Sequence, residues 1–275
     1  MLLTICSLKG SPGVTTLATA LGACWPVGEN PILVEADPAG GDLMARFRLN
    51  ETPSLTTLAV RARRGVEAGL LAQHTQQLPG GLRVVIGPVG AEQARTALSV
   101  LAFGGCSVLR RAAEQPSTTV IVDCGRVDPD SPALPIIRSA DAMLLVARPQ
   151  DADLTHVALK VHEAQRWSRR PGLVLVGDGH PTHEVSGALG IPVMGTVPRD
   201  DKGAAVLCGQ RTSQRNPAES KLGRAAARVA TLAWAQWQAN NRPRVVSPRP
   251  IASSPLAPLA SVQLVGSPTR NGTSA

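Results

Sequence analysis

The chain has no tyrosine, only two phenylalanines and four tryptophans, so aromatics make up 2% of its 275 residues. A Tyr/Lys proton-relay reductase is therefore excluded. The interior must be built from Val, Leu, Ile and Ala, which suits helices packed on a parallel sheet. A GxGxxG dinucleotide fingerprint is also lacking. Glu35 follows the first glycine turn at a suggestive distance, but Gly10 and Gly13 have no glycine between them. There is no CxxC pair. Five cysteines (Cys6, Cys24, Cys106, Cys124, Cys208) stand singly, which argues against a disulfide framework or zinc site and for a reducing, cytoplasmic setting. No run approaches the ~20 apolar residues that cross a bilayer. The start, MLLTICSLKG, lacks the basic region of a secretory signal.

What is present is apolar content of 43% and a net charge of +8, the first enough for a sizeable core. The charge is unevenly placed. Residues 1–198 hold 17 basic and 17 acidic side chains, whereas residues 199–275 hold 11 basic against 3 acidic. The whole excess sits at the C-terminal end and points to an anionic partner, with non-specific DNA binding as one possibility.

Short β-branched runs alternate with Ala/Leu-rich helical patterns, as in βαβ units. The runs are 2–8, 31–37, 82–87, 118–124, 142–148, 172–178 and 192–198. None alternates with polar residues, as expected of strands covered on both faces. Helical patterns fall at 15–25, 92–105 and 153–167, and a last one at 219–238 carries Leu222, Ala226, Val229, Ala233 and Trp237 as an apolar stripe. The reading is α/β: a doubly wound, mostly parallel sheet with helices on both faces. It predicts one nucleotide-binding domain over 1–239 and a Pro/Ser-rich, basic, disordered tail over 240–275. Prolines between Pro243 and Pro258 break any helix in that tail, which argues against a membrane role.

The first run leads directly into Lys9-Gly10-Ser11-Pro12-Gly13-Val14-Thr15-Thr16 and then a helix. A strand, a glycine-bearing turn and a helix N-terminus gather backbone N–H groups and a favourable dipole around an anion. A threonine at the helix start can ligate Mg²⁺. The strict phosphate-loop pattern GxxxxGK[ST] is not met, because Val14 stands at the lysine position. By itself the segment reads equally well as a tight turn.

KGSPGVTT resembles the deviant Walker A motif, KGGxGKTT, of the ParA/MinD family of P-loop ATPases. Lys9 matches the family's signature lysine, which reaches across a nucleotide-sandwich homodimer to the partner's phosphates. Glu35-Ala36-Asp37-Pro38-Ala39-Gly40 is similar to the DxDPxG segment, whose second Asp, here Asp37, orients the attacking water; Glu35 replaces the first Asp. VIVDCG resembles a Walker B motif, with Asp123 holding Mg²⁺ through water and Thr15 as direct ligand. Pro198 and Asp200 match a PxD turn beside the nucleotide base. The resemblance runs from about residue 2 to 238 and implies the P-loop fold, ATP and Mg²⁺ as cofactors, and a homodimer.

The resemblance leaves two functional classes open. One is a slow, dimerisation-coupled ATPase that positions DNA, division machinery or envelope assemblies. The other is a pseudo-ATPase scaffold for a protein partner. A P-loop lysine makes charge-assisted bonds worth about 1.5–3 kcal/mol each, so Val14 should weaken binding roughly 10- to 150-fold. Hydrolysis should suffer more. His180, His183 and Glu184 lack the spacing of a helical zinc pair, Cys124 is expected only to pack, and Trp234 and Trp237 to be core or interface.

Overall fold

The structure is a computed structural model that describes residues 1–241 except 11, 27, 105 and 211–215. The tail beyond Asn241 and Ser11 of the phosphate loop lie outside the described residues.

Each apolar run becomes a strand: β1 (Leu2–Ser7), β2 (Asn30–Glu35), β4 (Arg83–Val85), β5 (Thr118–Arg126), β6 (Ala142–Ala147), β7 (Pro171–Val176) and β8 (Val193–Val197). One further strand, β3 (Gln76–Gln77), was not expected. The sheet order is β3-β4-β2-β5-β1-β6-β7-β8. All pairs are parallel except β3 with β4, which is antiparallel at the edge.

The helices are α1 (Val14–Ala23), α2 (Leu43–Phe47), α3 (Leu55–Ala62), α4 (Leu70–Gln73), α5 (Ala91–Phe103), α6 (Ser107–Ala113), α7 (Leu134–Ser139), α8 (Asp151–Trp167), α9 (Thr182–Leu189), α10 (Asp201–Leu207) and α11 (Lys221–Asn241). α11 carries the expected stripe: Leu222, Ala226, Val229 and Ala233 are buried. Trp237 is half-buried and stacks on Trp234 with ring centroids 4.8 Å apart.

Strand alternation divides the interior into two cores. In β1, Leu2 and Cys6 face one core while Leu3 and Ile5 face the other. β5 follows suit: Val120, Val122 and Cys124 join the first, Ile121 the second. The second core is the one closed by α1 and α11, with Leu17, Leu21, Val229 and Ala230. By the same two-residue period, Asp123 and, after Leu33 in β2, Glu35 fall on the α1 side. Their Cα atoms are register partners at the carboxyl ends of adjacent strands. In open α/β sheets that edge, where successive crossovers leave in opposite directions, is where ligands bind. Here β1 runs through α1 to β2 on one side, and β5 leads to β6 on the other.

Candidate phosphate-loop site

β1 ends at Ser7 and α1 begins at Val14, with Lys9, Gly10, Pro12 and Gly13 described between them. Gly13 precedes the helix with φ 94° and ψ 37°, a conformation glycine adopts without strain. A Cβ there would meet no atom within 4 Å among the described residues beyond its chain neighbours. α1 then begins in regular fashion, the Leu17 N–H donating to Gly13 O at 2.8 Å. The orphan N–H groups of its first turn face the glycine turn, with no acidic residue in that helical turn to compete for them.

Val14 is 7% exposed and packs in the α1-side core with Leu3, Ile5 and Leu17. The position that aligns with the lysine therefore serves the interior. Pro12 is buried; Thr15 and Thr16 are half-buried. Thr16 Oγ1 lies 3.8 Å from Cys208 Sγ, which ties the first turn of α1 to the end of α10. Lys9 is exposed, its Nζ 2.5 Å from His156 Nε2 on α8.

Asp123 is fully buried. Its Oδ1 accepts the Gly125 N–H at 2.9 Å, while Oδ2 is buried without a hydrogen-bond partner among the described residues. Burial pushes the carboxyl up to about 7; the Thr15 hydroxyl and the Gly125 N–H act against this, and the charges of Glu35 and Asp37 add to it. A buried carboxylate oxygen whose nearest polar neighbour is a threonine hydroxyl fits a hard divalent cation, which takes oxygen ligands and displaces a carboxyl proton. Thr15 and Asp123 are thus the pair that would hold Mg²⁺.

Asp37 follows β2 and comes to the same place. Its Oδ1 accepts the Ala39 N–H at 2.7 Å. Its carboxyl group rests on Gly125, so closely that a Cβ there would fall 2.0 Å from Asp37 Cγ. Burial raises the Asp37 carboxyl, opposed by the Ala39 N–H, with Asp42 raising and Arg126 lowering it further. Gly125 is a site residue that the sequence reading did not single out; the signal was an Asp-x-Gly at a strand end. Thr15, Asp37 and Asp123 are brought together.

The PxD turn lies beyond β8. Pro198 is half-buried. Asp200 is committed to structure: Oδ1 accepts from Gly203 N at 2.9 Å, capping α10, and Oδ2 accepts from Leu222 N at 3.1 Å in α11. Those N–H groups hold its carboxyl below the usual range. Elsewhere, His180 Nε2 lies 2.6 Å from Asp151 Oδ1. Cys124 is buried, its thiol pushed well up by burial.

No family model matches the chain. No curated protein matches it either. Solved structures do. The Pyrococcus furiosus cell division ATPase MinD superposes with a TM-score of 0.67 at 20% identity, over 86% of this chain and 98% of that one. A ParA family ATPase from Chlorobium tepidum gives 0.65 at 16% identity, over 84% and 98%. The septum site-determining protein MinD from Pyrococcus horikoshii, complexed with Mg-ADP, gives 0.63 at 19% identity, over 84% and 95%. At these identities the likeness establishes the architecture: residues 1–241 have the ParA/MinD P-loop NTPase fold.

Proposed function

We propose that this chain is an ATP-binding switch of the ParA/MinD kind, a slow ATPase that works as a nucleotide-dependent homodimer in spatial organisation. The observation that carries the reading is the unpartnered oxygen of Asp123, buried beside Thr15 at the mouth of a glycine turn. Mg²⁺, when bound, would neutralise phosphate charge. The chain's own residues do the rest. The backbone of Gly10–Thr16, including Ser11 and Pro12, cradles the phosphates at the N-terminus of α1. Asp37 orients the attacking water, and Pro198 with Asp200 shapes the turn beside the base. Lys9, exposed on the surface, supplies to the partner's nucleotide the positive charge that Val14 does not supply in cis.

A radiolabelled turnover assay with Asp37→Ala as control tests this. Slow hydrolysis that the substitution removes supports it; identical background in both proteins rejects hydrolysis. A second reading, a pseudo-ATPase scaffold, is favoured by one observation, the packing of Val14 into the core. It predicts MgATP binding with no turnover above background.

For partners, the described part of the basic C-terminal region places Lys221, Arg224 and Arg228 on the exposed face of α11. That row fits phosphate contacts on non-specific DNA. A salt series on duplex binding checks it, since no binding at low salt removes the idea.

A further inference from the structure

The buried carboxyl group that the reading above leaves without a task is Glu35. It is the last residue of β2 and is 1% exposed. Its Oε1 accepts the N–H of Asp42 at 2.7 Å and of Leu43 at 3.0 Å, where α2 begins. Its Oε2 accepts the N–H of Gly87 at 2.9 Å, beyond the end of β4. Three donors from two segments thus meet one side chain. Bonds of this kind, from backbone N–H to an ionised carboxylate, are the stronger class.

Between Glu35 and Asp42 runs the loop that carries Asp37. Its entry is fixed by Ala36 N–H donating to Asp123 O at 2.7 Å. Its exit is fixed by the Glu35 bonds and by Gly41 N–H donating to Pro88 O at 2.8 Å. The fit around the carboxylate is close: a Cβ at Gly41 would stand 2.3 Å from Glu35 Oε2. The Asp37 carboxyl is held by the Ala39 N–H and rests against Gly125. Its direction is therefore inherited from where the loop is anchored.

We infer that Glu35 is a positioning residue for Asp37: its carboxylate ties the start of α2 to the end of β4 and so sets the loop that aims Asp37 at the reaction centre. The inference rests on the proposed ATPase reading. A glutamine cannot replace this glutamate, because it has one acceptor oxygen and turns an NH₂ toward an N–H.

The test compares wild type with Glu35→Gln, with Gly41→Ala, whose Cβ crowds both the Glu35 carboxylate and the Gly87 carbonyl and so shifts the bracket without removing the carboxylate, and with Gly90→Ala. A Cβ at Gly90 meets nothing nearer than Gln93 at 3.8 Å. MgATP affinity, kcat, KM and melting temperature are measured for each. Both Glu35→Gln and Gly41→Ala should lower kcat on the order of 10- to 100-fold, the cost of a misplaced group; MgATP affinity should stay unchanged in Gly41→Ala, which keeps the charge that acts on Asp123. Gly90→Ala should behave as wild type. Unchanged kcat in a folded Glu35→Gln or Gly41→Ala overturns the positioning role alone. Parallel loss of affinity, kcat and folding in both overturns it in favour of a purely structural bracket. Absence of turnover in the wild type removes the ATPase reading and this inference with it.

Discussion

Asp123 is a buried acid that weakens the fold as it ionises. An aspartate in an unfolded chain titrates near 3.8, whereas burial raises this one to about 7. The folded state therefore holds the extra proton, and its contribution is greatest below the unfolded value and is lost as pH rises toward 7. Without metal, Asp123→Asn should melt above wild type at pH 8, by on the order of 2–4 kcal/mol, and the gap should close by pH 4. Nucleotide binding in the same variant should lose its dependence on Mg²⁺. Melting curves in chelator and paired titrations check both; a wild type that outlasts the variant at pH 8 contradicts the first. Val14 is the converse case. Val14→Lys should raise MgATP affinity roughly 10- to 150-fold. It should also lower stability by about 0.5–3 kcal/mol, because the α1-side core loses a buried branched side chain. A folded Val14→Lys protein with unchanged affinity would show that its ammonium does not reach the phosphates.

At the scale of elements, Asp200 joins α10 to α11 through Gly203 N and Leu222 N. Its carboxyl lies below the ordinary 3.8, so its stabilisation is present above that pH and vanishes as the pH falls further. Asp200→Asn should cost about 0.5–2 kcal/mol at pH 7, as lost caps do, and less as the pH falls below 3.8, measurable by denaturant titration across that range. The same element shows what a sequence can disclose. The seven parallel strands were legible because each lies in a short, mostly apolar run without polar alternation. β3 was not, since Gln76 and Gln77 are polar residues that pair only through the neighbouring edge of β4. The short α2 and α4 carry too few turns for a period to register. Thr15, Asp37 and Asp123 were candidates from motif alone, and the fold places Thr15 in the first turn of α1, Asp37 just after β2 and Asp123 within β5. The task of Glu35 was invisible, because Gly87 lies 52 residues away in the chain. The cap role of Asp200 depends in the same way on Leu222, 22 residues on.

At the scale of the whole molecule, the fold brings Thr15 and Asp123, the proposed Mg²⁺ ligands, to the glycine turn proposed to hold phosphate, while Val14 is buried in the core. Positive charge near the phosphates then has to come from elsewhere, and Lys9, exposed on the same edge, is the candidate on a second copy. Affinity for MgATP should accordingly tighten as protein concentration rises, and Lys9→Ala should remove that dependence; equal affinities for the two proteins at every concentration would contradict it. The most direct test of the central claim is calorimetric titration of the wild-type chain with MgATP at high protein concentration. The account predicts saturable heat that disappears when the metal is chelated. A flat trace would show that the turn between Gly10 and Thr16 does not grip a triphosphate, and would leave the fold without the function.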